Sequence, residues 1–276
     1  MPARERLADL IGRGRVNAVE IRLLNPAEVS QVPSLRARSR DELARCYLSR
    51  LATDYQPQDL AHQDPRRARS AQLVFETLIR KFDHHEENQW YVNGAPLVFD
   101  HDAAFHPAFV RYPIGTFAFS YGWHLAGKTL PLDLQARFRD QIDAVQTLEG
   151  YDQEQLQRSL REFQALDFRA LAIEAGYTGE ALEEVVGFLT TTSRSLPRDV
   201  AAVLRSITEA DVSGFGLDAD GSGLPGGHVG AAKTPDGASE GASFEASSAP
   251  PLRSPGKLLD QAIRDLRWGN ELKRSP

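Results

Sequence analysis

The distribution of apolar residues along the chain predicts a mainly helical body. From about Pro65 to Phe82, apolar side chains return every three or four residues, which places them on one face of a helix. A shorter version of the same spacing lies near Leu7 and Ile11. Further stretches with helical spacing are 132–148, 153–166, 180–191 and, at the end of the body, 197–207. We therefore expect one domain, residues 1–208, that is built largely from helices.

Three other stretches give a less regular pattern. Apolar and polar residues alternate from Val16 to Leu24, which predicts a strand. Ser39 has the character of a helix cap, and the apolar spacing after it predicts a helix that continues through Leu51. From Phe105 to Trp123, aromatic residues and prolines follow no clear period. We expect that last stretch to be a loop packed on the core.

A short β-hairpin is predicted near residues 89–99. Asn93 and Gly94 stand between two short apolar runs. Asn-Gly is the pair that most readily takes the positive φ angles of a two-residue type I′ turn. The predicted fold class is therefore mainly α with a small β-hairpin (α+β).

The last quarter of the chain differs in composition from the body. From Glu209 to Gly256 the chain is rich in Gly, Ser and Pro and has almost no apolar periodicity, so we expect a disordered linker (209–256). Beyond it, Lys257 to Lys273 has the spacing of a short amphipathic helix. A tethered helix of this kind (257–273) either docks on its own domain or binds a protein partner.

Composition narrows the classes of function. A hydrophobic content of 41% in 276 residues supports a real core. The net charge of −6 argues against a nucleic-acid partner. The one cysteine, Cys46, cannot form an internal disulfide, which favours a reducing compartment. Because the sequence shows neither a signal-peptide pattern nor a stretch long enough to span a membrane, we expect a cytoplasmic protein.

One motif argues for a chemistry. Asp83 and Asn88 precede the predicted hairpin and Asp100 follows it, so the hairpin can bring two carboxylates and an amide oxygen together. Hard oxygen donors of this kind are the ligands that Mg²⁺ prefers. Each of the three residues also has an ordinary structural reading, as a helix end, a turn residue or a strand end.

The sequence around these residues resembles that of atypical kinases. The segment from Asp83 to Asn88 reads Asp-His-His-Glu-Glu-Asn, and Val98-Phe99-Asp100-His101 follows the hairpin. The HipA-like kinases and the phosphatidylinositol 3/4-kinases have a similar Asp-Arg-His-x-x-Asn and a later apolar pair followed by Asp; here His84 stands where they have Arg. The resemblance implies a kinase-like C-lobe that uses ATP and Mg²⁺, with Asp83 as the catalytic Asp and with Asn88 and Asp100 as metal ligands. It also offers a second interpretation of the stretch from Phe105 to Trp123, as a segment similar to a kinase activation segment.

The N-terminal part fits a kinase less well. The first lysine of the chain is Lys81, so no lysine precedes the motif to grip the nucleotide phosphates. The resemblance therefore implies a reduced or absent N-lobe. The chain is then a shortened kinase with Arg22 or Arg36 as its phosphate clamp, a degenerate kinase, or a C-lobe completed by another chain. The rival from a different class is a non-catalytic interaction module that binds a protein partner.

The sequence contains two further candidate metal sites. His84, His85, His101 and His106 could form a zinc or iron site with a nearby aspartate, but helical pairings such as His-x-x-x-His are missing from this stretch. Asp218 to Gly223 copies the opening of an EF-hand loop, yet Val229 stands where a bidentate Glu is needed. Both are weaker predictions than the kinase-like site.

Overall fold

The structure is a computed structural model, and its described residues lie in one compact unit, residues 1–221. They are 3–19, 21–23, 47–49, 55–82, 90–98, 101, 104–105, 114–125, 127, 132–212, 215 and 217. Asp83, Asn88 and Asp100 lie outside this part of the chain, and so does the predicted C-terminal helix 257–273.

Most of the described residues belong to helices, which confirms the predicted mainly helical fold. The helices are α1 (Ala3–Gly12), α2 (Pro65–Ile79), α3 (Ile114–Leu125), α4 (Leu132–Arg137), α5 (Arg139–Val145), α6 (Gln153–Gln164), α7 (Phe168–Ala175) and α8 (Gly179–Thr208), with short 3₁₀ turns at Pro57–Asp59 and Leu148–Gly150. The strands are β1 (Ile21–Leu23), β2 (Tyr47–Ser49), β3 (Trp90–Val92) and β4 (Ala95–Leu97).

Helix α2 is defined by local signals at both ends. The Asp64 side chain accepts hydrogen bonds from the backbone N–H groups of Arg66 and Arg67, and Pro65 occupies the first turn, where its missing N–H costs nothing. The helix ends at Arg80, which takes the left-handed conformation with φ 52°. The predicted helix from Pro65 to Phe82 is therefore confirmed to within three residues.

The predicted hairpin is also confirmed. Strands β3 and β4 pair antiparallel, with Trp90 opposite Leu97 and Val92 opposite Ala95. Asn93 (φ 50°) and Gly94 (φ 80°) both take positive φ angles, as a type I′ turn requires. Arg69 of α2 fastens this turn, because its guanidinium donates to the Gly94 carbonyl oxygen at 3.4 Å.

Two predictions for the chain before α2, a helix through Leu51 and a strand from Val16 to Leu24, differ from the structure. Residues 47–49 form strand β2, which pairs antiparallel with β1, so the helix predicted through Leu51 is wrong at these residues. Helical spacing of apolar residues is also compatible with a short paired strand when the run is brief. Among the described residues of the stretch from Val16 to Leu24, those of β1 form a strand, and Ala18 makes an isolated bridge to Val98.

Helix α3 lies where the sequence pattern indicated a loop. Thr116, Phe117, Ala118, Ser120 and Tyr121 are all buried, and the helix packs against α8. A helix that is buried on several sides has no polar face, so its sequence lacks the helical period that marks an amphipathic helix.

The C-terminal helices differ from the predicted set in three places. The stretch 132–148 is divided between α4 and α5 at Phe138, whose ring packs against the hairpin residues Trp90 and Tyr91. Conversely, α8 runs unbroken through Pro197, although the sequence predicted two helices there. Helix α7 was not predicted.

The chain just past α8 still packs on the body. Val212 and Leu217 are buried, and Gln157 of α6 donates to the Phe215 carbonyl oxygen at 3.2 Å. From residue 218 onward the predicted linker lies outside the described residues and stays a prediction. Among the helices that the structure describes, none combines the length and the apolar character needed to cross a bilayer.

Candidate functional site

The segments that carry the predicted site residues begin and end at residues that the structure describes. Asp83 follows the end of α2 closely, Asn88 precedes β3, and Asp100 lies between Val98 and His101. Because these three residues are outside the described part, the structure does not test their geometry. It does show how the segments that carry them are held.

The chain on either side of the motif is joined by a backbone hydrogen bond. The Phe105 N–H donates to the Ile79 carbonyl oxygen at 3.0 Å. Ile79 is the last residue of α2, four positions before Asp83, and Phe105 comes five positions after Asp100. The segment that follows Asp100 therefore returns to the helix end that precedes Asp83.

The exit of the hairpin is held by the segment that follows α1. The Val98 N–H donates to the Asn17 carbonyl oxygen at 2.8 Å, and the Val19 N–H donates to the Val98 carbonyl oxygen at 2.9 Å. Asn17 is itself fixed, because its amide exchanges two hydrogen bonds of 2.8 Å with the backbone of His62. Two residues before Asp100, the backbone is thus part of a small hydrogen-bonded ladder.

The end of α2 is tied to α8 by a buried ion pair. Arg80 Nη2 lies 2.5 Å from Asp199 Oδ2, and both side chains are at least nine-tenths buried. The Ser195 hydroxyl donates to the same Asp199 oxygen at 2.6 Å. Burial lowers the pKa of Arg80, while the Asp199 carboxylate acts in the opposite direction. The Arg80 guanidinium also lies over the Phe117 ring of α3.

A second buried polar cluster lies beside it. Lys81 Nζ is 3.8 Å from Glu76 Oε1, and each side chain is 1% exposed. Glu76 also accepts from Gln72 at 3.1 Å and forms a hydrogen bond with Tyr121. Burial raises the pKa of Glu76, although Lys81 and these hydrogen bonds oppose that rise. The first lysine of the chain therefore points into the core and is paired there.

His101, the residue after Asp100, is also buried. It is 3% exposed, and its ring meets the Phe75 ring edge-on with centroids 5.5 Å apart. Burial, aided by the charge of nearby Lys81, lowers the pKa of His101 well below its usual 6.5, so the imidazole is neutral at pH 7. The backbone N–H of His101 donates to Glu5 Oε1 at 2.6 Å.

The described residues give no support to the predicted zinc or iron site. Within the described ranges, no group of three or more His, Cys, Asp and Glu side chains could hold a metal ion. Of the four histidines proposed for that site, the structure describes only His101, and the ring of His101 packs against Phe75. The EF-hand-like segment from Asp218 to Gly223 lies outside the described residues.

Sequence reasoning did not find the residues that support the motif. Glu5 bonds to His101 from 96 positions away and Asp199 bonds to Arg80 from 119, and a sequence pattern carries no signal for pairs so far apart. Each of these acidic groups is buried and holds a residue that flanks the motif. Comparison with protein-family models, with curated proteins and with solved structures gives no match for this chain.

Proposed function

We propose that the protein is an ATP- and Mg²⁺-dependent phosphotransferase of the HipA-like or phosphatidylinositol-kinase type. Asp83 orients the acceptor hydroxyl and takes its proton. Asn88 and Asp100 hold the metal ions that accompany the nucleotide phosphates. Two carboxylates and an amide form a hard oxygen donor set, which suits Mg²⁺ better than a transition metal.

The observation that carries this proposal is the hydrogen bond between the Phe105 N–H and the Ile79 carbonyl oxygen. It closes the chain into a loop that contains all three proposed residues and the type I′ hairpin. Ile79 lies four residues before Asp83 and Phe105 lies five residues after Asp100, so this hydrogen bond joins the two ends of the segment that carries the proposed residues.

One observation favours a second candidate, a non-catalytic module that binds a protein partner. Lys81 is buried and paired with Glu76, so it does not present its ammonium group to a nucleotide. A kinase-like body without an accessible phosphate-binding lysine is expected to bind ATP weakly or not at all. In that case the C-terminal helix 257–273 would supply the surface for the partner.

A melting experiment separates the two candidates. A ligand that binds only the folded state stabilises it by about 2.7 kcal/mol at 100 times its Kd. We expect ATP with Mg²⁺ to raise the Tm of the native protein, and we expect this rise to be lost in Asn88→Ala and Asp100→Ala. Asp140→Ala, which removes an exposed aspartate on α5, is the matched control and should behave as native.

The roles of the three residues can then be distinguished. Asp83→Ala should keep the Mg²⁺-dependent rise in Tm but abolish transfer of the γ-phosphate, measured as ATP consumption with radiolabelled nucleotide. A native protein whose Tm does not respond to millimolar ATP and Mg²⁺ would support the interaction module instead. A full response in Asp100→Ala would show that the metal ligands are assigned wrongly.

A further inference from the structure

Two bulky residues at the end of α2 have left-handed backbone conformations. Arg80 has φ 52° and Phe105 has φ 58°, angles that a residue with a Cβ adopts only at a cost in free energy. The two residues are neighbours in the fold, because the Phe105 N–H donates to the carbonyl oxygen of Ile79, which precedes Arg80. Strained residues persist only where the surrounding structure holds them. The side-chain contacts of Arg80 and Phe105 therefore keep this junction closed.

Both of these side chains are held by helix α8. Phe105 is buried, and its ring meets the Phe188 ring edge-on at a centroid distance of 6.1 Å. Arg80 is buried as well and donates to Asp199 Oδ2, the oxygen that also accepts from the Ser195 hydroxyl. Phe188, Ser195 and Asp199 all belong to α8. One helix thus supplies partners for two strained residues that lie far apart in the sequence.

The Arg80 guanidinium is not fully hydrogen-bonded. Its Nη1 atom is buried and meets no hydrogen-bond acceptor among the described residues. Burial of a charged group is costly where one of its N–H groups lacks an acceptor. A glycine would take the same backbone angle without strain and without a buried charge. The arginine therefore adds a contact with α8 at a cost to local stability, and low local stability is the property of a segment that opens by itself.

We propose that residues 79–81 and Phe105 form a latch that α8 holds closed and that opens as one unit. When the contacts with α8 break, Arg80 and Phe105 leave the left-handed region, and the hydrogen bond between Ile79 and Phe105 is lost while the rest of the body stays folded. The strain that is released offsets part of the cost of the broken contacts, so the latch opens more readily than the helices around it. The latch goes beyond the proposed function and does not depend on it.

Amide hydrogen exchange, resolved by NMR on the full-length protein, tests whether the latch opens as one unit. The reporters are the N–H groups of Arg80, Lys81 and Phe105, which donate to carbonyl oxygens at the end of α2. The references are the N–H groups of Val74 in α2 and Leu160 in α6, two buried residues within helices. Local opening changes exchange at the reporters alone, whereas global unfolding changes it at the references too.

Two conservative substitutions act on opposite ends of the latch. Asp199→Asn removes the counter-charge of Arg80, and Phe188→Leu removes the ring that packs on Phe105. Because the latch opens as one unit, we expect each substitution to speed exchange about tenfold at all three reporters and much less at the references. Tyr151→Phe is the matched control. It removes a buried hydrogen bond elsewhere in the core and should affect the reporters no more than the references.

The contribution of strain is tested in the Asp199→Asn background. Arg80→Gly and Arg80→Ala both remove the buried guanidinium, but only glycine takes a φ of 52° without strain. The closed latch is therefore less stable with alanine than with glycine at this position. We expect the Arg80→Ala variant to exchange about tenfold faster than the Arg80→Gly variant at Lys81 and Phe105.

Three results would overturn the inference. Faster exchange only at the end of the latch that carries the substitution would show two independent contacts in place of one unit. A rise of equal size at the reporters and at the references would show that the substitutions destabilise the whole body and release no latch. Equal exchange in the two Arg80 variants would show that the left-handed conformation stores no strain that helps the latch to open.

Discussion

Helices α2 and α8 meet at the Arg80–Asp199 ion pair, yet they are specified in different ways. The start of α2 follows from neighbouring residues, since the Asp64 side chain accepts from the N–H groups of Arg66 and Arg67 and Pro65 occupies the first turn. Helix α8 contains Pro197, which has no N–H to donate to the Ser193 carbonyl oxygen four residues earlier. Gln164 of α6 donates to that oxygen instead, at 3.1 Å.

The two helices satisfy their unpaired backbone N–H and carbonyl groups in different ways. In α2 the unpaired groups lie at the ends, where local side chains can reach them. In α8 an unpaired carbonyl lies within the helix, and the side chain that satisfies it comes from another helix. The continuity of α8 therefore depends on tertiary structure, whereas the start of α2 does not. Substitutions at the two helices should separate the two mechanisms.

The largest effect is expected where the two helices meet. Asp199→Ala leaves the Arg80 guanidinium buried without its counter-charge, and breaking a buried pair in this way typically costs about 3–5 kcal/mol. We expect the free energy of unfolding, measured by urea denaturation, to fall by that order. Asp199→Asn should lose less, because the amide can still accept a hydrogen bond from Arg80.

The control for that prediction removes both charges. Arg80→Met combined with Asp199→Leu leaves neither charge buried alone, and such replacements are often neutral or stabilising. Most of the lost stability should therefore return in the double variant. If the double variant were as unstable as Asp199→Ala, packing and not the charge would dominate at this junction.

The next effect tests the local specification of α2. Asp64→Ala removes the acceptor for the N–H groups of Arg66 and Arg67, and loss of such a cap typically costs about 1 kcal/mol. Asp64→Asn keeps a side-chain oxygen in the same place and should stay close to native. Chemical denaturation of the three proteins under one condition measures both differences. Equal losses in both variants would indicate that the charge of Asp64, and not its hydrogen bonds, stabilises the helix.

A double-mutant cycle tests the tertiary specification of α8. Gln164→Leu should cost up to about 1 kcal/mol in the native chain, because the Ser193 carbonyl oxygen loses its donor. In a Pro197→Ala background the new N–H of residue 197 can donate to that oxygen, so the same substitution should cost less. A Gln164→Leu effect of equal size in both backgrounds would mean that Gln164 acts through packing alone.

The smallest effect is expected at the surface. Arg169 of α7 donates to both carboxylate oxygens of Glu183 on α8, at 2.8 and 2.6 Å, but both side chains are exposed. Exposed pairs contribute little because water and salt screen them. We expect Arg169→Ala to change the Tm only slightly and to match native at about 0.5 M salt. A large change that survives salt would show that α7 depends on this contact.

The same division explains which elements could be predicted. Helix α2 was predicted from the spacing of its apolar residues and the hairpin from the Asn93-Gly94 turn, and both signals lie within a few residues of what they specify. Helix α3 was missed because its burial leaves no polar face. The break at Phe138 was missed because its ring packs on Trp90 and Tyr91, which precede it by more than 45 residues.

The candidate site also contains residues that the sequence could suggest and residues that it could not. Asp83, Asn88 and Asp100 could be proposed from sequence because their residue types and spacing around a hairpin carry the chemistry. Their function stays a prediction. Glu5 and Asp199, which hold the flanks of that motif, could not be proposed, because each is an ordinary acidic residue within a helix until the fold brings it to its partner.

The sequence by itself determined the helical character of the body, the start of α2, and the hairpin turn, since caps, turns and apolar periodicity act over a few residues. Only the tertiary structure decided that α8 continues through Pro197, that Lys81 points into the core towards Glu76, and that Glu5 reaches His101. The physical reason is burial. A buried polar group must find a partner wherever the fold offers one, and that partner can lie a hundred residues away.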